Sequence, residues 1–338
     1  MANKKIVITD FLTSSPDVES RVLGSGYELH QFCSNDESQL VGKIDDAHAL
    51  LVWHEICITQ ASIEILKNCE VIVRCGVGFD NIDVRAAAGK GIPVCNVPDY
   101  GTNEVADHTI ALLLAVTRGI CSFNASLSKS NSRWRWDEAG PLQRITGKTL
   151  GIIGLGRIGT AVLLRAKAFG LRVVYYDPYI PDGIDKSLGV TSLSLNDLLE
   201  CSDIISIHTP LTPKTKGMAN KQFFSRVKEG CIILNTARGE IIDFESLEAA
   251  LKSGKIKAAG LDVLPTEPPV NEPLIEAWRD GKTWMRNKLV LTPHSAFYTE
   301  ESFVEMRMKA ALEAKRVLEG KQPKNCINQD WFDDKLKM

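Results

Sequence analysis

Three polar residues each follow a run of apolar residues in the second half of the chain: Arg238, Glu267 and His294. An imidazole can give or take a proton near neutral pH. A carboxylate can orient that ring and favour its protonated form, and a guanidinium can hold a carboxylate through two parallel hydrogen bonds. Taken singly, an arginine or glutamate here is more often a surface ion pair, and a histidine is often structural. The set predicts acid–base chemistry on a carboxylate-bearing molecule only if one fold brings the three together.

The spacing of three glycines indicates the element that would position these side chains. Gly154, Gly156 and Gly159 follow the strand-like run Thr149–Ile153, and a second such run ends at Asp177. This pattern is typical of a dinucleotide-binding strand–helix–strand unit, whose glycines allow a tight turn, close approach of the pyrophosphate and close helix–strand packing. The helix N-terminus then presents free N–H groups and a positive dipole end to the pyrophosphate. The alternative is a Gly-rich turn in an ordinary α/β sheet, and the completeness of the unit argues against it.

Asp177 decides between the two nicotinamide dinucleotides. A carboxylate there hydrogen-bonds the ribose hydroxyls of NAD, but against the 2′-phosphate of NADP it would cost about 4 kcal/mol per unit charge at ~4 Å and an effective dielectric constant near 20. No arginine follows, since the next residues are Pro178 and Tyr179. We therefore expect NAD. With it, an imidazole, a carboxylate and a guanidinium are the set needed for hydride transfer from an alcohol that carries a carboxylate.

Composition narrows the class of protein. The length of 338 residues suggests two domains, and an apolar fraction of 44% with a net charge of −2 gives no argument for nucleic acid or a membrane as partner. The nine cysteines include no C-x-x-C pair, so we expect buried, reduced thiols, a cytoplasmic location and no metal site. The longest apolar run, Ile110–Thr117, is too short to cross a bilayer, and the first strand is too short for a signal peptide.

Alternating strand and helix signals predict an α/β fold with two doubly wound parallel sheets. Residues 4–98 contain no G-x-G-x-x-G after their first strand, so they do not form a second dinucleotide site. The strands expected there are Ile6–Ile8, Tyr27–Leu29, Ala49–Val52, Val71–Val73 and Pro93–Val97, and the helices are Asp17–Leu23, Glu37–Asp45, Ala61–Lys67 and Val84–Gly89.

The second series of elements begins after a clear amphipathic helix, Thr102–Arg118, and an irregular stretch at 122–148. Its expected strands are 149–153, 172–176, 203–208, 231–235, 258–262 and 288–291. A long helix over 300–320 returns to the first series, so the chain crosses twice between domains. We predict a flavodoxin-like substrate-binding domain of residues 1–101 and 299–338, a Rossmann NAD-binding domain of residues 102–298, and a ligand cleft between them.

These motifs resemble those of the D-2-hydroxyacid dehydrogenase family over about residues 45–320. The resemblance rests on Gly76–Asp83, Gly154–Gly159, Asn235–Gly239, Asp262–Pro268 and Thr292–His294. Within the family the sequence is most similar to the branch of the C-terminal binding proteins, through Gly151–Gly159, Arg165–Gly170, Tyr176–Tyr179 and Trp53-His54. The resemblance implies NAD-dependent interconversion of a D-2-hydroxy acid and its 2-oxo acid, and a homodimer built through the cofactor domain with the 102–118 helix in the contact.

The resemblance also implies roles for particular residues. Arg238, Glu267 and His294 would be catalytic, and the backbone of Val77 and Gly78 would bind the substrate carboxylate. Further substrate-site candidates are Arg74, which could instead form an ion pair, and Trp53 and His54. The cofactor-site candidates are Thr102, Gly154, Gly156, Arg157, Ile158, Gly159, Asp177, Pro178, Thr209, Pro210, Thr215, Thr236, Ala237, Asp262 and His294. Of the other histidines, we expect His208 to be structural or cofactor-lining and His108 to be packed or partner-facing.

Two other functions stay open at this point. Phosphite dehydrogenase, in the same family, has a lysine where this chain has Val77, which argues against phosphite as substrate. A NADH-sensing interaction protein resembling the C-terminal binding protein corepressors is the second alternative; against it, the chain ends soon after Trp331, and Phe297 stands where that branch usually has tryptophan. Turnover of 2-oxo acids would distinguish an enzyme from NADH-dependent peptide binding. Trp134 and Trp136 could cap an apolar pocket or make a dimer contact.

Overall fold

The computed structural model describes residues 3–131 and 134–331. These residues form two compact units. The first unit comprises the residues up to Gly101 together with those from Thr299 onward, and the second is Thr102–Tyr298. Each unit is built on one sheet whose paired strands run parallel, with helices between successive strands, so the predicted α/β class is confirmed.

The described strands of the first unit are β1 (Lys4–Asp10), β2 (Tyr27–Ser34), β3 (Ala49–Val52), β4 (Val71–Arg74) and β5 (Val94–Asn96). They hydrogen-bond in the order β2-β1-β3-β4-β5, which is the flavodoxin-like order. All residues of β3 and β4 are buried, as expected for parallel strands covered on both faces. The short apolar runs of the sequence therefore mark the centre of this sheet.

The helices between these strands are α1 (Asp17–Leu23), α2 (Gln60–Ile65) and α3 (Val84–Gly89). The helix predicted over Glu37–Asp45 is wrong, because only a 3-10 turn, Glu37–Leu40, forms there. Gly42 has a φ of +76°, and its N–H donates to Asp45 Oδ2 at 2.8 Å. A left-handed glycine followed by an acceptor carboxylate makes a turn and ends the helix.

The described strands of the second unit are β6 (Thr149–Ile153), β7 (Arg172–Tyr176), β8 (Thr191–Ser192), β9 (Ile204–Ile207), β10 (Cys231–Asn235), β11 (Ile256–Leu261) and β12 (Leu289–Leu291). Their order is β12-β11-β10-β9-β6-β7-β8. The order reverses between β6 and β9, as in the Rossmann fold, where ligands bind beyond the carboxyl ends of the strands. The two-residue strand β8 was not predicted from the sequence, since both of its residues are polar and exposed.

The helices of the second unit are α4 (Thr102–Arg118), α5 (Ile120–Leu127), α6 (Arg157–Ala168), α7 (Ile184–Leu188), α8 (Leu195–Cys201), α9 (Lys221–Arg226), α10 (Phe244–Ser253) and α11 (Pro273–Arg279). The expectation that 122–148 is irregular is wrong at its start, where α5 lies. Gly119, with a φ of +63°, ends α4 and lets α5 begin. Ile120, Phe123 and Leu127 recur along α5 at helical spacing, although none of its residues is buried.

The long helix α12 (Glu300–Leu318) belongs to the first unit, where it packs on α1, β3 and β4. Its N-terminus is a reciprocal cap, since Thr299 Oγ1 accepts from Ser302 N at 3.0 Å and Ser302 Oγ accepts from Thr299 N at 2.9 Å. Arg307 forms a buried ion pair with Glu19, which joins α12 to α1.

Among residues 3–131 and 134–331, no single helix has the length and apolar character to cross a bilayer. Within the described part of the chain, only α4 and α5 taken together reach that length and composition, and they are bent by 64° at their junction. The apolar face of α4 is buried in the second unit, where it packs on α6 and β11.

All nine cysteines are free thiols, but their burial differs from the prediction. Cys33, Cys57 and Cys121 are exposed, whereas Cys75, Cys95 and Cys231 are buried. Cys33 lies on the edge strand β2, Cys57 in a loop and Cys121 on α5, which has no buried residue, so an apolar neighbourhood in sequence does not produce burial at these positions.

Candidate active site

The loop between β6 and α6 has the geometry that the glycine spacing predicts. Gly154 has a φ of +92°, and a β-carbon there would lie 2.8 Å from the backbone of His208. A β-carbon on Gly159 would lie 2.1 Å from Gly154 O, so only glycine allows helix and strand to pack this closely. At Gly156 a β-carbon would meet nothing within 4 Å. The first and third glycines thus serve the protein's own packing, and the second keeps a surface open.

The N-terminus of α6 faces that open surface. Its first turn receives no side-chain cap from Gly156, and Arg157 at its start is exposed while Ile158 is half-buried. Uncapped N–H groups and the positive end of a twelve-residue helix favour an anion such as a pyrophosphate.

Asp177 directly follows β7 and hydrogen-bonds the loop between β6 and α6. Its Oδ2 accepts from Leu155 N at 2.8 Å and its Oδ1 accepts from Tyr179 N at 2.9 Å. A carboxylate has about four lone-pair sites, so acceptor capacity remains for ribose hydroxyls. Pro178, directly after it, is exposed.

Two buried polar atoms beside Gly154 have no partner among the residues that the structure describes: His208 Nδ1 and Thr209 Oγ1. Burial lowers the pKa of His208 to about 4, so its ring is neutral, and its Nε2 lies 2.8 Å from Ser206 Oγ. Buried polar groups normally carry a hydrogen bond. Orphaned atoms at the dinucleotide loop therefore fit the presence of a bound group, and they support the cofactor-lining alternative for His208.

The remaining cofactor-site candidates lie in loops around the same sheet. The Thr215 hydroxyl donates to Pro210 O at 2.6 Å, which closes the loop after β9. Thr236 Oγ1 lies 3.0 Å from Thr109 Oγ1 of α4, and Ala237 N donates to Asn235 Oδ1 at 3.0 Å. Thr102 is the half-buried first residue of α4.

Arg238, Glu267 and His294 follow three neighbouring strands, β10, β11 and β12. Because the carboxyl ends of parallel strands meet at one edge of the sheet, the three side chains converge there. His294 Nδ1 lies 2.6 Å from Glu267 Oε2. This leaves Nε2 as the ring nitrogen that does not face the carboxylate, and the pair has the form of an imidazole oriented by a carboxylate.

The carboxyl group of Glu267 is kept ionised. Burial alone would raise its pKa, but the hydrogen bond and charge of His294, the N–H of Leu264 and the charge of Arg238 together lower it below its usual value. Glu267 Oε1 accepts from Leu264 N at 2.7 Å. The influence of Arg238 on Glu267 shows that the cation belongs to the same cluster.

Arg238 is positioned by a tight loop after β10. The fully buried side chain of Asn235 donates to Arg238 O at 2.8 Å. A β-carbon on Gly239 would lie 1.9 Å from the backbone of Leu264, so glycine lets the loop that carries Arg238 contact the loop that carries Glu267. Sequence reasoning assigned no role to Asn235 or Gly239. The signals available were an amide at the end of an apolar strand and a glycine directly after the arginine.

Asp262 builds the loop that carries His294. Its buried carboxylate accepts from Thr292 Oγ1 at 2.5 Å, from Ser295 N at 2.9 Å and from Ala296 N at 2.9 Å, and its backbone carbonyl accepts from His294 N at 2.7 Å. His294 has a φ of +53°, a conformation that non-glycine residues rarely adopt. The contacts of Asp262 thus hold that backbone in place, a role that sequence reasoning did not assign.

His108 completes the support of this loop. Its Nε2 lies 2.8 Å from Thr292 Oγ1, so His108 packs against this loop. Phe297 follows the loop, with its ring centroid 6.5 Å from that of His294. Among the described residues, no group of three or more metal-binding side chains occurs.

The first unit holds the residues predicted for the substrate carboxylate. Arg74 ends β4, is 8% exposed, and donates from Nη1 to Cys75 O at 2.7 Å. Gly76 has a φ of +143°, and a β-carbon there would overlap Arg74 Nη1. Val77 O accepts from Asn96 Nδ2 at 2.7 Å, and Gly78 is half-buried. The loop is therefore fixed at Val77, with Arg74 folded against it.

Trp53 and His54, both predicted as substrate-site candidates, have different environments in the structure. Trp53 is 1% exposed, and its ring lies 5.1 Å from Phe11 and 5.3 Å from Phe303. His54 is exposed, 4.4 Å from Phe11. Trp53 is therefore a core residue of the first unit, which argues against substrate contact by its ring, and His54 is the better candidate of the two.

A Gly156→Ala variant is expected to bind NADH about tenfold more weakly while keeping its thermal stability. The added methyl group meets nothing in the protein but occupies the surface where the pyrophosphate approaches, a steric cost of about 1–3 kcal/mol. A fluorescence titration with NADH and a thermal unfolding curve measure the two effects. Gly159→Ala is the control, because it should lower the melting temperature. Unchanged NADH affinity in Gly156→Ala would contradict the assignment of this loop.

The fold and the site together define a two-unit α/β protein with a dinucleotide loop and an imidazole–carboxylate–guanidinium cluster on the same sheet. Residues 110–296 match the family model described as the NAD-binding domain of D-isomer specific 2-hydroxyacid dehydrogenases. The chain belongs to this family. The predicted family and the predicted cofactor, NAD, are confirmed.

Similar proteins agree with this assignment. The chain is 40% identical to D-3-phosphoglycerate dehydrogenase of Methanocaldococcus jannaschii over 326 residues, covering 96% of this chain and 59% of that protein. The TT0316 protein of Thermus thermophilus shares 34% identity and a TM-score of 0.83, with 96% and 99% of the two chains covered. A D-lactate dehydrogenase from Aquifex aeolicus, solved with NAD and lactic acid, shares 27% identity and a TM-score of 0.80, with 97% and 98% covered. The chain spans 59% of the length of the curated D-3-phosphoglycerate dehydrogenases it matches.

Proposed function

We propose that this chain is an NAD-dependent oxidoreductase that interconverts a D-2-hydroxy acid and its 2-oxo acid. The observation that carries the proposal is the pair of His294 and Glu267, 2.6 Å apart, on the sheet that also carries the dinucleotide loop. Arg238 in the same cluster supplies the cation that a carboxylate substrate needs. The D configuration rests on membership of the family.

The chain's own residues would transfer the proton, stabilise the charge that develops and bind the substrate. NADH, when bound, supplies the hydride to C2 of the oxo acid. His294 protonates the carbonyl oxygen through Nε2, since Nδ1 is held by Glu267. Ionised Glu267 stabilises the imidazolium form before the proton moves, and Arg238 binds carboxylate and carbonyl oxygens of the substrate. In the oxidative direction His294 accepts the hydroxyl proton.

We assign the two units different roles within this proposal. The second unit binds the cofactor and carries the catalytic set. The first unit would bind the substrate carboxylate through the backbone N–H groups of Val77 and Gly78, with the charge of Arg74 close by. The buried, hydrogen-bonded placement of Arg74 beside Gly76 supports a fixed rather than a mobile anion site.

The activity is tested by following NADH absorbance with the purified protein and a panel of acids. The panel contains glyoxylate, pyruvate, hydroxypyruvate, phenylpyruvate and 4-methyl-2-oxopentanoate, with D-3-phosphoglycerate and NAD in the oxidative direction. We expect turnover of at least one D-2-hydroxy acid or 2-oxo acid, and none with the L enantiomer of the product. NADPH in place of NADH should be a poorer reductant, because Asp177 opposes a 2′-phosphate. Tight NADH binding with no turnover, but with NADH-dependent binding of peptides, would favour the sensing alternative instead.

We further propose a homodimer in a cytoplasmic setting, acting on small molecules without nucleic acid or membrane partners. Several exposed apolar side chains of the second unit occur close together in sequence: Ile120, Leu127, Trp134, Trp136 and Leu142. Trp134 and Trp136 are 89% and 84% exposed and line one surface depression together with Phe123 and Leu127. Exposed apolar patches of this kind are typical of protein interfaces. Light scattering of the wild-type protein against a Trp134→Ser/Trp136→Ser variant tests this, with a monomeric wild type as the contradicting result.

A further inference from the structure

A short segment after α12 extends the sheet of the first unit. We call residues 324–328 the strap. β5 is the edge strand of the sheet, with β4 on one side. On its other side, Ile327 N donates to Val94 O at 2.8 Å and Asn96 N donates to Asn325 O at 3.3 Å. The strap thus runs antiparallel to β5 and covers its open edge.

This pairing places two cysteines directly opposite each other, Cys95 on β5 and Cys326 on the strap. The backbone hydrogen bonds lie between the flanking residues, so the cysteines form a non-hydrogen-bonded antiparallel pair. Residues in such a pair have Cα atoms about 4.5 Å apart and side chains close together. A disulfide requires a Cα separation of about 4.4–6.8 Å, so the backbone can accept the bond without moving far.

The strap is held independently of the cysteines. Asn328, which is 1% exposed, accepts from Val94 N at 2.9 Å and donates to Ile92 O at 3.0 Å. Glu313 of α12 accepts from Lys324 N at 2.5 Å. These contacts pre-organise the thiols, since the strap does not have to be recruited before they can react.

The two thiols differ in exposure and in acidity. Cys95 is fully buried, whereas Cys326 is half-buried. The Cys326 thiol donates to Asn328 Oδ1 at 3.2 Å. The proximity of the two thiols lowers the pKa of Cys326 and raises that of Cys95, and burial and the charge of Glu313 add to the rise at Cys95. The thiolate is the nucleophilic form. Cys326 is therefore the attacking sulfur and Cys95 the one that completes the bond.

We propose that Cys95 and Cys326 form a reversible disulfide when the protein meets a hydroperoxide, which fastens the strap to β5. The Cys326 thiolate attacks one peroxide oxygen, the O–O bond breaks, and a sulfenic acid and hydroxide form; the hydroxide becomes water with one proton. The Cys95 sulfur, losing its proton, then attacks the Cys326 sulfur and expels the hydroxyl group as a second water. Two thiols are oxidised and one hydrogen peroxide is reduced to two waters. Excess dithiol reverses the bond by thiol–disulfide exchange.

Mass spectrometry of the full-length protein tests the proposal. The protein is treated with stoichiometric hydrogen peroxide, alkylated and digested with trypsin. Cys95 and Cys326 are the single cysteines of tryptic peptides 91–118 and 325–335. We expect these peptides joined and lighter by two hydrogen atoms, and separate again after dithiothreitol. Recovery of both peptides only as separately alkylated or over-oxidised species would overturn the proposal.

Matched variants separate this bond from general thiol oxidation. Cys95→Ser and Cys326→Ser should each abolish the joined peptide, whereas Cys57→Ser, which removes an exposed thiol of the same unit, should retain it. Because the bond closes a loop of over two hundred residues, oxidation should raise the melting temperature of the wild type on the order of 5 °C. It should leave the melting temperatures of Cys95→Ser and Cys326→Ser unchanged. If the joined peptide forms in the wild type and in Cys57→Ser but oxidation does not raise their melting temperatures, the proposal that the bond fastens the strap is overturned. The wild-type result stands even if a serine variant does not fold.

Discussion

A His294→Asn variant is expected to turn over its substrate about 10²–10⁴-fold more slowly than the wild type, with NADH affinity nearly unchanged. The loss follows from removing the group that transfers the proton in the transition state. Asparagine is the suitable replacement because His294 has a φ of +53°, a region that asparagine tolerates better than most residues. The loop built by Asp262 should therefore survive the change. Steady-state kinetics and NADH titration measure the two quantities.

The control for this prediction is Glu267→Gln. It keeps a side chain of the same shape beside His294 but removes the negative charge that supports the imidazolium. We expect a smaller loss of turnover than in His294→Asn. We also expect a changed pH–rate profile, because the wild-type carboxyl group, whose pKa is lowered, remains ionised well into the acidic range and the variant lacks this charge at every pH. Near-normal turnover of His294→Asn would refute the assignment of the acid–base residue. Loss of NADH binding together with turnover would instead indicate a collapsed loop.

The second large effect is expected on stability, from Arg307→Met. Arg307 Nε and Nη2 donate to the two carboxylate oxygens of Glu19 at 2.8 and 2.7 Å, and the two side chains are 6% and 2% exposed. Removing the guanidinium leaves a buried carboxylate without its charge partner, which costs about 3–5 kcal/mol. Urea unfolding of the variant measures the change in the free energy of unfolding. Because this pair joins α1 and α12, the loss should fall on the first unit.

Two further variants test whether the loss of stability in Arg307→Met comes from the burial of the charge and not from the loss of an ion pair in general. Arg21→Met removes an exposed pair with Asp17, with side chains 77% and 57% exposed, and should change stability little. The double variant Glu19→Leu/Arg307→Met removes both buried charges and should recover much of the stability lost in Arg307→Met. A double variant that is as unstable as the single one would mean that packing, such as that of Arg307 on Phe303, dominates instead.

The order of strands and helices was predictable wherever apolar runs are short and bounded by polar residues. The predicted bounds of Ala49–Val52, Thr149–Ile153 and Cys231–Asn235 agree with the structure, because strands covered on both faces must be apolar throughout. Two short elements were not predicted. The strand β8 is two polar residues long and leaves no periodic signal, whereas α5 follows directly after Gly119 and has apolar residues at helical spacing over only eight residues, too short a run to separate it from the preceding helix.

The dinucleotide loop could be predicted from sequence because its three glycines are close together and two of them, Gly154 and Gly159, meet steric demands of neighbouring backbone. The catalytic candidates were readable because each follows a strand that the apolar pattern marks. By contrast, Asp262 and Asn235 shape the loops around them through hydrogen bonds that no spacing rule predicts. Trp53 looked like a pocket residue by its place after β3, but Phe11 and Phe303 bury it.

The sequence by itself determined the class of fold, the dinucleotide loop and the residue types that could move a proton and a hydride. Only the tertiary structure decided which polar groups touch. His294 meets Glu267 because β11 and β12 are neighbours in the sheet, and Cys95 meets Cys326 because the chain returns to cover an open edge. Local patterns arise from the preferences of adjacent residues, whereas such contacts depend on sheet order and register, which long-range packing sets.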